Sequence, residues 1–113
     1  MDMSEEYAAA LIDGAAPKTY RLLNGTSGRT HAGLISQDIE KTIYESGMTD
    51  MDFAGFIKYQ DEDGMNGYGL RYAEFIAPLI KYCQCLKKDL RQVQEQLFAV
   101  KGEIIISKQQ GGH

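Results

Sequence analysis

The stretch from Leu70 to Ile104, LRYAEFIAPLIKYCQCLKKDLRQVQEQLFAVKGEI, decides how the rest of the chain is read. Along it, Tyr72, Ile76, Leu79, Cys83, Leu86, Leu90, Val93, Leu97, Val100 and Ile104 follow one another at spacings of 4, 3, 4, 3, 4, 3, 4, 3 and 4. That alternation is the heptad signature of a helix sharing an apolar seam with other helices. No glycine interrupts it before Gly102. Its one proline, Pro78, falls in the first turn, where a missing N–H is tolerated. A helix over most of this stretch is about 40 Å long, at about 1.5 Å per residue. A chain of 113 residues is too short to cover that length with its own core. The helix is therefore expected to be an oligomerisation element that carries a small head.

The seam divides into two zones. Ile76, Cys83, Leu90, Leu97 and Ile104 take the a positions, and Tyr72, Leu79, Leu86, Val93 and Val100 the d positions. In the first half Phe75, Ile80 and Tyr82 widen the stripe, as on a helix that packs on a globular body and a partner at once. From Lys87 onward the flanks are Lys87, Asp89, Gln94, Gln96 and Lys101, and the stripe narrows to a strict coiled-coil seam. Leu at a with Val at d reverses the parallel-dimer preference, so a homotrimer is the first expectation and a tetramer the second. The plainer alternative is an amphipathic helix folded onto its own domain. Persistence through more than four heptads weighs against it.

Composition narrows the classes of function. A hydrophobic share of 43% suits a chain whose helix is half solvated, and a net charge of −4 argues against sequence-independent nucleic-acid binding. Lys81, Lys87, Lys88 and Arg91 cluster on the helix, but as the solvated flank of a coil. A basic-region reading helix needs a denser run ahead of the heptads, where Tyr72–Ile80 is apolar instead. Cys83 and Cys85, the only cysteines, point to different helical faces and cannot bridge each other. Cys83 reads as a small hydrophobe of the seam. No disulfide framework, zinc site or other cofactor is expected, nor a membrane span or signal peptide, and a reducing compartment is inferred.

Upstream the chain reads helix, hairpin, helix, hairpin. Ser4 looks like an N-cap with Glu5 and Glu6 in the first turn, Tyr7–Ile12 is helix-prone, and Gly14 fits the position just past the helix end. Lys18–Leu23 and Arg29–Ile35 are expected to pair across the turn Asn24-Gly25-Thr26-Ser27-Gly28. Ser36 is expected to cap a second helix over Gln37–Glu45, with Ile39, Ile43 and Tyr44 on its apolar side and Gly47 as its stop. After a polar loop at Met48–Asp52, Ala54–Gln60 and Tyr68–Tyr72 read as strands joined through Asp61-Glu62-Asp63-Gly64, which lacks the Asp spacing of a calcium loop. The fold class expected is α+β: a small antiparallel sheet with short helices, then a long C-terminal helix forming a trimeric coiled coil. The expected division is a head over residues 1–70, the coil over 71–104 and a mobile tail over 105–113. The triplet Ile104-Ile105-Ile106 reads equally as the last coil turn or a short strand.

Catalytic signals are sparse. There is no phosphate-binding glycine loop and no paired histidine for a metal. His31, the one internal histidine, follows a glycine-rich turn and reads first as a hydrogen-bonding partner. Ser4, Ser27, Ser36, Ser46 and Ser107 lack any local pattern marking a nucleophile. A hydrolase using His31 is the minor alternative.

Three motifs in order carry a resemblance. Thr30-His31-Ala32-Gly33-Leu34-Ile35-Ser36-Gln37-Asp38-Ile39 resembles the His-x-Gly-Phe/Leu-Ile-Ala-Gln-Asp/Glu-Val motif of the C-terminal intramolecular chaperone domain of phage endosialidases, tail spikes and tail fibres, also related to one in myelin regulatory factors. Pro17-Lys18-Thr19-Tyr20 is similar to that family's Pro-x-x-Tyr strand. Tyr68-Gly69-Leu70-Arg71-Tyr72, followed by Phe75-Ile76 and Pro78-Leu79-Ile80-Lys81, is similar to the start of its long helix. The resemblance spans roughly Ser4 to Val100.

The resemblance implies a domain that trimerises at the C-terminus of a fibre protein and aligns three chains while an intertwined stalk folds. It then implies release by self-cleavage at the domain's N-terminal edge, through a Ser followed shortly by a Lys. The implied partners are two further copies and the upstream stalk of the parent fibre protein, with no nucleic acid and no membrane. The implied location is the host cytoplasm during virion assembly. His31, Gly33, Gln37 and Asp38 are the matched motif residues, and His31 is implied to help shape the cleavage region. The cleavage motif itself is not matched: Ser4 is followed by Glu5-Glu6-Tyr7, and no Lys precedes Lys18. The chain as given is expected not to cleave itself.

Overall fold

The computed structural model describes residues 1–23 and 28–111, with Asn66 and residues 104–111 described by backbone alone. In order, the elements are α1 (Glu5–Gly14), β1 (Lys18–Tyr20), β2 (His31–Gly33), α2 (Ser36–Glu45), a 3-10 turn (Asp50–Asp52), β3 (Phe56–Gln60), β4 (Asn66–Leu70), a second 3-10 turn (Tyr72–Phe75) and α3 (Ile76–Gly111). The fold is α+β with a long C-terminal helix. By compactness the chain divides into Met1–Tyr82 and Cys83–His113.

In the first unit, α1 begins as its sequence requires: the Ser4 hydroxyl accepts from the Tyr7 N–H, and Glu5 and Glu6 lie in the first turn near the positive helix end. Its apolar face, Ala8 and Leu11, is fully buried. Gly14 ends the helix for a different reason from the one expected. It has no positive φ. Instead a Cβ there would lie 2.3 Å from Thr42 Cγ2, and the Thr42 hydroxyl donates to the Gly14 carbonyl at 3.0 Å. The glycine is there so that α1 and α2 can approach each other closely.

Helix α2 starts one residue earlier than expected. Ser36 is its first helical residue, and the N-cap is Ile35, which makes no side-chain cap bond. Ile39 and Ile43, four apart, are buried, while Tyr44 is half exposed, one residue being too large a rotation for the same face. Gly47 stops the helix as expected, at φ 77°. The core formed by Leu11, Ile39, Ile43, Phe53, Phe56 and Phe75 is closed over by Tyr7, Leu34, Met48, Tyr68 and Leu70. Phe53 and Phe75 meet edge to face at 4.8 Å, a geometry favoured by the ring quadrupoles.

The two hairpins form separate two-stranded sheets rather than one small sheet. β3 and β4 pair antiparallel from Phe56↔Leu70 to Gln60↔Asn66. Their turn is held by Asp61, whose Oδ1 accepts from the Asp63 and Met65 N–H groups. β1 and β2 pair only over Lys18↔Gly33, Thr19↔Ala32 and Tyr20↔His31. Both strands are shorter than expected, because β1 is exposed throughout and Leu22 and Leu23 find no core to cover. Residues 24–27 of the expected turn lie outside the described residues. The supposed loop at Met48–Asp52 contains a capping box: Thr49 accepts from Met51 N–H, and Asp52 accepts from Thr49 N–H.

Two polar contacts tie the head further. The Tyr7 hydroxyl donates to the Asp52 carbonyl at 2.7 Å. Lys58 Nζ lies 3.2 Å from Glu40 Oε2, joining β3 to α2. That oxygen is buried without a hydrogen bond of good geometry, so the nearby ammonium is what offsets its desolvation.

Candidate functional site

The long helix begins where the sequence allows. The 3-10 turn Tyr72–Phe75 runs directly into α3, and Pro78 is its third residue, in the turn whose N–H groups need no helical acceptor. From Ile76 to Gly111 the helix has 36 residues, about 54 Å at about 1.5 Å per residue. The backbone of the Ile104–Ile106 triplet is helical rather than extended. Side chains from Ile104 onward, including the last expected a position, lie outside the described residues.

Two stripes on the first turns of α3 behave differently. Phe75 and Pro78 are buried, and the Tyr82 hydroxyl donates to Asp13 Oδ1 on α1. One position round the helix, Ile76, Leu79 and Cys83 are exposed. The exposed stripe then continues along the second unit through Leu86, Leu90, Val93, Leu97 and Val100, each between 49% and 58% exposed. That unit, Cys83–His113, contains only the continuation of α3 and no other described element. It has nothing of its own to lay over the stripe. A Val or Leu gains about 1.5–3 kcal/mol on full burial, so each half-exposed seam residue forgoes roughly 1 kcal/mol. In proteins most helical stability comes from packing of an apolar face rather than from intrinsic propensity. The stripe is thus a surface that favours cover by another apolar surface.

Tyr72 was expected at the head of this seam. It lies in the 3-10 turn before α3 and also serves the head. Its hydroxyl accepts from the Leu34 N–H at 3.1 Å and lies 3.5 Å from the Leu34 carbonyl. The close approach depends on Gly33, where a Cβ would meet the Tyr72 oxygen at 2.7 Å. The motif glycine, Gly33, and Tyr72 of the third motif are therefore one contact, 39 residues apart in sequence. Nothing in either motif alone announces it.

The other motif residues gather at the β2–α2 corner. His31 pairs with Tyr20 across the hairpin, and the two rings stack at 5.5 Å with an interplanar angle of 20°. Thr30 accepts from Arg21 Nε at 3.2 Å on the same hairpin. Gln37 is exposed. Asp38 is half-buried in the first turn of α2, where its charge complements the helix dipole. The serine closest to the N-terminus, Ser4, is occupied as a cap. Burial and the charges of Asp52 and Glu74 push the Tyr7 phenol above its ordinary pKa, and the adjoining Glu40 carboxylate raises Lys58. Both perturbed groups belong to contacts that hold the head together. Among the described residues no cluster of His, Cys, Asp and Glu is placed to hold a metal ion, and no helix is long and apolar enough to cross a membrane.

No protein-family model matches the chain, and no curated protein sequence matches it significantly. Solved structures do. One, described as the crystal structure of a novel intramolecular chaperon, is 19% identical, covers 80% of this chain and 90% of its own, and superposes with a TM-score of 0.53. The chain therefore shares its fold with an intramolecular chaperone domain.

Proposed function

We propose that the chain is the C-terminal trimerisation and folding-chaperone domain of a phage or prophage tail fibre or tail spike protein, released in its parent by self-cleavage at its N-terminal edge. The observation that carries the reading is the uncovered apolar seam from Ile76 to Val100 on a helix whose second half has no core of its own. Three copies closing that seam around a threefold axis are necessarily parallel, since cyclic symmetry carries each helix onto the next without reversing it. The three chain starts are then held at one end, and the stalk segments preceding them face one another at high effective concentration. Registering long chains is a slow, non-local search. A preformed trimer shortens it, and cleavage afterwards leaves the folded stalk kinetically hard to undo. The fold shared with an intramolecular chaperone and the three ordered motifs support the same reading.

The test is sedimentation of the chain alone, then refolding of its parent stalk with and without the domain. A trimer that speeds stalk folding is the expected result. A concentration-independent monomer, or a stalk that folds equally well alone, defeats the proposal. Cys83 offers an internal reporter, because parallel in-register helices bring its seam sulfurs together and mild oxidation then yields a covalent dimer within the trimer.

A second reading, a structural trimerisation module that stays attached, is favoured by one observation. Ser4 is committed to capping α1, and no lysine lies near it in sequence. It expects the parent protein to remain intact when upstream sequence is present.

A further inference from the structure

The two flanks of the seam are unlike, and the difference carries an inference that rests on the trimeric reading above. With Ile76 and Cys83 at a and Leu79 and Leu86 at d, Phe75 and Tyr82 are g residues and Pro78 is a c residue. Ile80 and Lys87 are e residues. At about 100° per residue the g and c positions lie on one side of the seam and e on the other. The g side is taken by the chain's own head: Phe75 and Pro78 are buried, and Tyr82 is bonded to Asp13. The e side is open, with Ile80 at 53% exposure and Lys87 exposed.

In a parallel coiled coil the g flank of one helix adjoins the e flank of its neighbour, each g residue facing the e residue about five positions on. Phe75 then faces Ile80 of the next copy, and Tyr82 faces Lys87. Because the head occupies the g flank, what the neighbour's e residues meet is the head. Beside Phe75 that surface is the ring of Tyr72, which is 51% exposed with its centroid 6.4 Å from that of Phe75. Beside Tyr82 it is the exposed carboxylate of Asp13, whose second oxygen can accept from a cation.

We propose that the e flank of each copy docks on the head of its neighbour, Ile80 against the Tyr72–Phe75 pair and Lys87 against Asp13, and that this contact sets the register of the trimer. Apolar meets apolar and cation meets anion in one alignment only. A slip of one heptad puts Lys87 on the aromatic pair and Gln94 beside Asp13. The coil cannot supply that choice. Its a and d residues from Leu86 to Val100 are all apolar, and its g-to-e pairs, Asp89 with Gln94 and Gln96 with Lys101, include no ion pair. Polar a residues and charged e/g pairs are what ordinarily fix coiled-coil register.

The experiment uses the full chain, with equilibrium sedimentation for affinity and Cys83 oxidation for register. Ile80 and Lys87 are exposed within one chain, so their substitution leaves the head folded, which far-UV circular dichroism checks. Ile80→Lys is expected to weaken association at least about tenfold, the loss of one buried aliphatic contact per interface, and to reduce the Cys83 dimer yield. Ile80→Leu is expected to preserve both. Lys87→Asp is expected to weaken association several-fold, and adding Asp13→Lys to restore it. If Ile80→Lys and Lys87→Asp associate and crosslink like the natural chain, the docking contact is overturned and the trimer stands. Weakening by Lys87→Asp that Asp13→Lys fails to reverse overturns the pairing with Asp13. A natural chain that sediments as a monomer overturns the trimeric reading itself.

Discussion

Between Met1 and Tyr82, Leu11 and Ile43 are wholly removed from water; between Leu86 and Val100, every seam residue stays about half in it. The two regions use similar residue types. They differ in what lies across from them. In the head, short helices and hairpins supply opposing apolar faces, so burial is complete inside one chain. In the coil, a single helix has only itself. The same aliphatic side chain therefore completes a core in one region and leaves an open apolar surface in the other. The proposed trimer draws on both: a head closed within one chain, and a helix whose apolar stripe is left open to further copies.

Four tests probe that contrast. The largest effect is expected from Leu90→Asp or Leu97→Asp. A carboxylate buried without a partner at a seam costs several kcal/mol by order of magnitude, and symmetry repeats it. Sedimentation should report monomers while the head's unfolding transition stays put. An unchanged elution volume would show that the seam is not the interface.

Next come Leu11→Ala and Ile43→Ala, whose side chains are fully buried. Each is expected to cost about 2–5 kcal/mol through lost transfer energy and an unfilled cavity. Denaturant melts followed by near-ultraviolet aromatic signals isolate the head. Equal losses in a coil variant such as Val93→Ala, measured on dissociated chains, would erase the distinction between the regions.

Gly33→Ala is expected to cost about 1–3 kcal/mol, in the range of overpacking substitutions, because the new Cβ meets the Tyr72 oxygen at 2.7 Å. Combining it with Tyr72→Phe removes that oxygen and should recover part of the loss. Simple additivity in this double-mutant cycle would mean that the two residues are uncoupled.

The smallest effect is alkaline. Tyr7 and Lys58 both hold their protons more tightly in the folded head than their ordinary values of 10.0 and 10.5. Their contribution is complete below those values and is lost as pH rises through the higher folded ones. Head stability should thus fall above about pH 10, and Tyr7→Phe should flatten the decline. A decline of the same slope in Tyr7→Phe would remove Tyr7 from the account.

The head's elements were legible because each announces itself within a few residues. Ser4 with Glu5 and Glu6 opens α1, Ile39 and Ile43 mark the buried face of α2, and Asp61–Gly64 marks the second hairpin's turn. The sequence misleads where the deciding contact is not local. Gly14 looked like a helix stop and is a contact point for Thr42, 28 residues on. Ser36 looked like a cap, yet the backbone turns helical one residue sooner. The two hairpins looked like one sheet because strand patterns do not say which strands are neighbours. For the candidate site, the residues of the stripe could be named from their spacing alone. That Phe75, Pro78 and Tyr82 belong to the head while Ile80 does not could not.

By itself the sequence determined the periodic features: where the long helix lies, which of its residues share a face, and that the face is apolar for more than four heptads. These follow from local stereochemistry, since 3.6 residues per turn leaves little choice about which side chains align. Only the tertiary structure decided which flank of that helix the head occupies, and so which flank remains open. That choice rests on contacts such as Tyr82 with Asp13 and Tyr72 with Leu34, between residues far apart in the chain. Packing of distant surfaces selects them, and no repeat in the sequence encodes it.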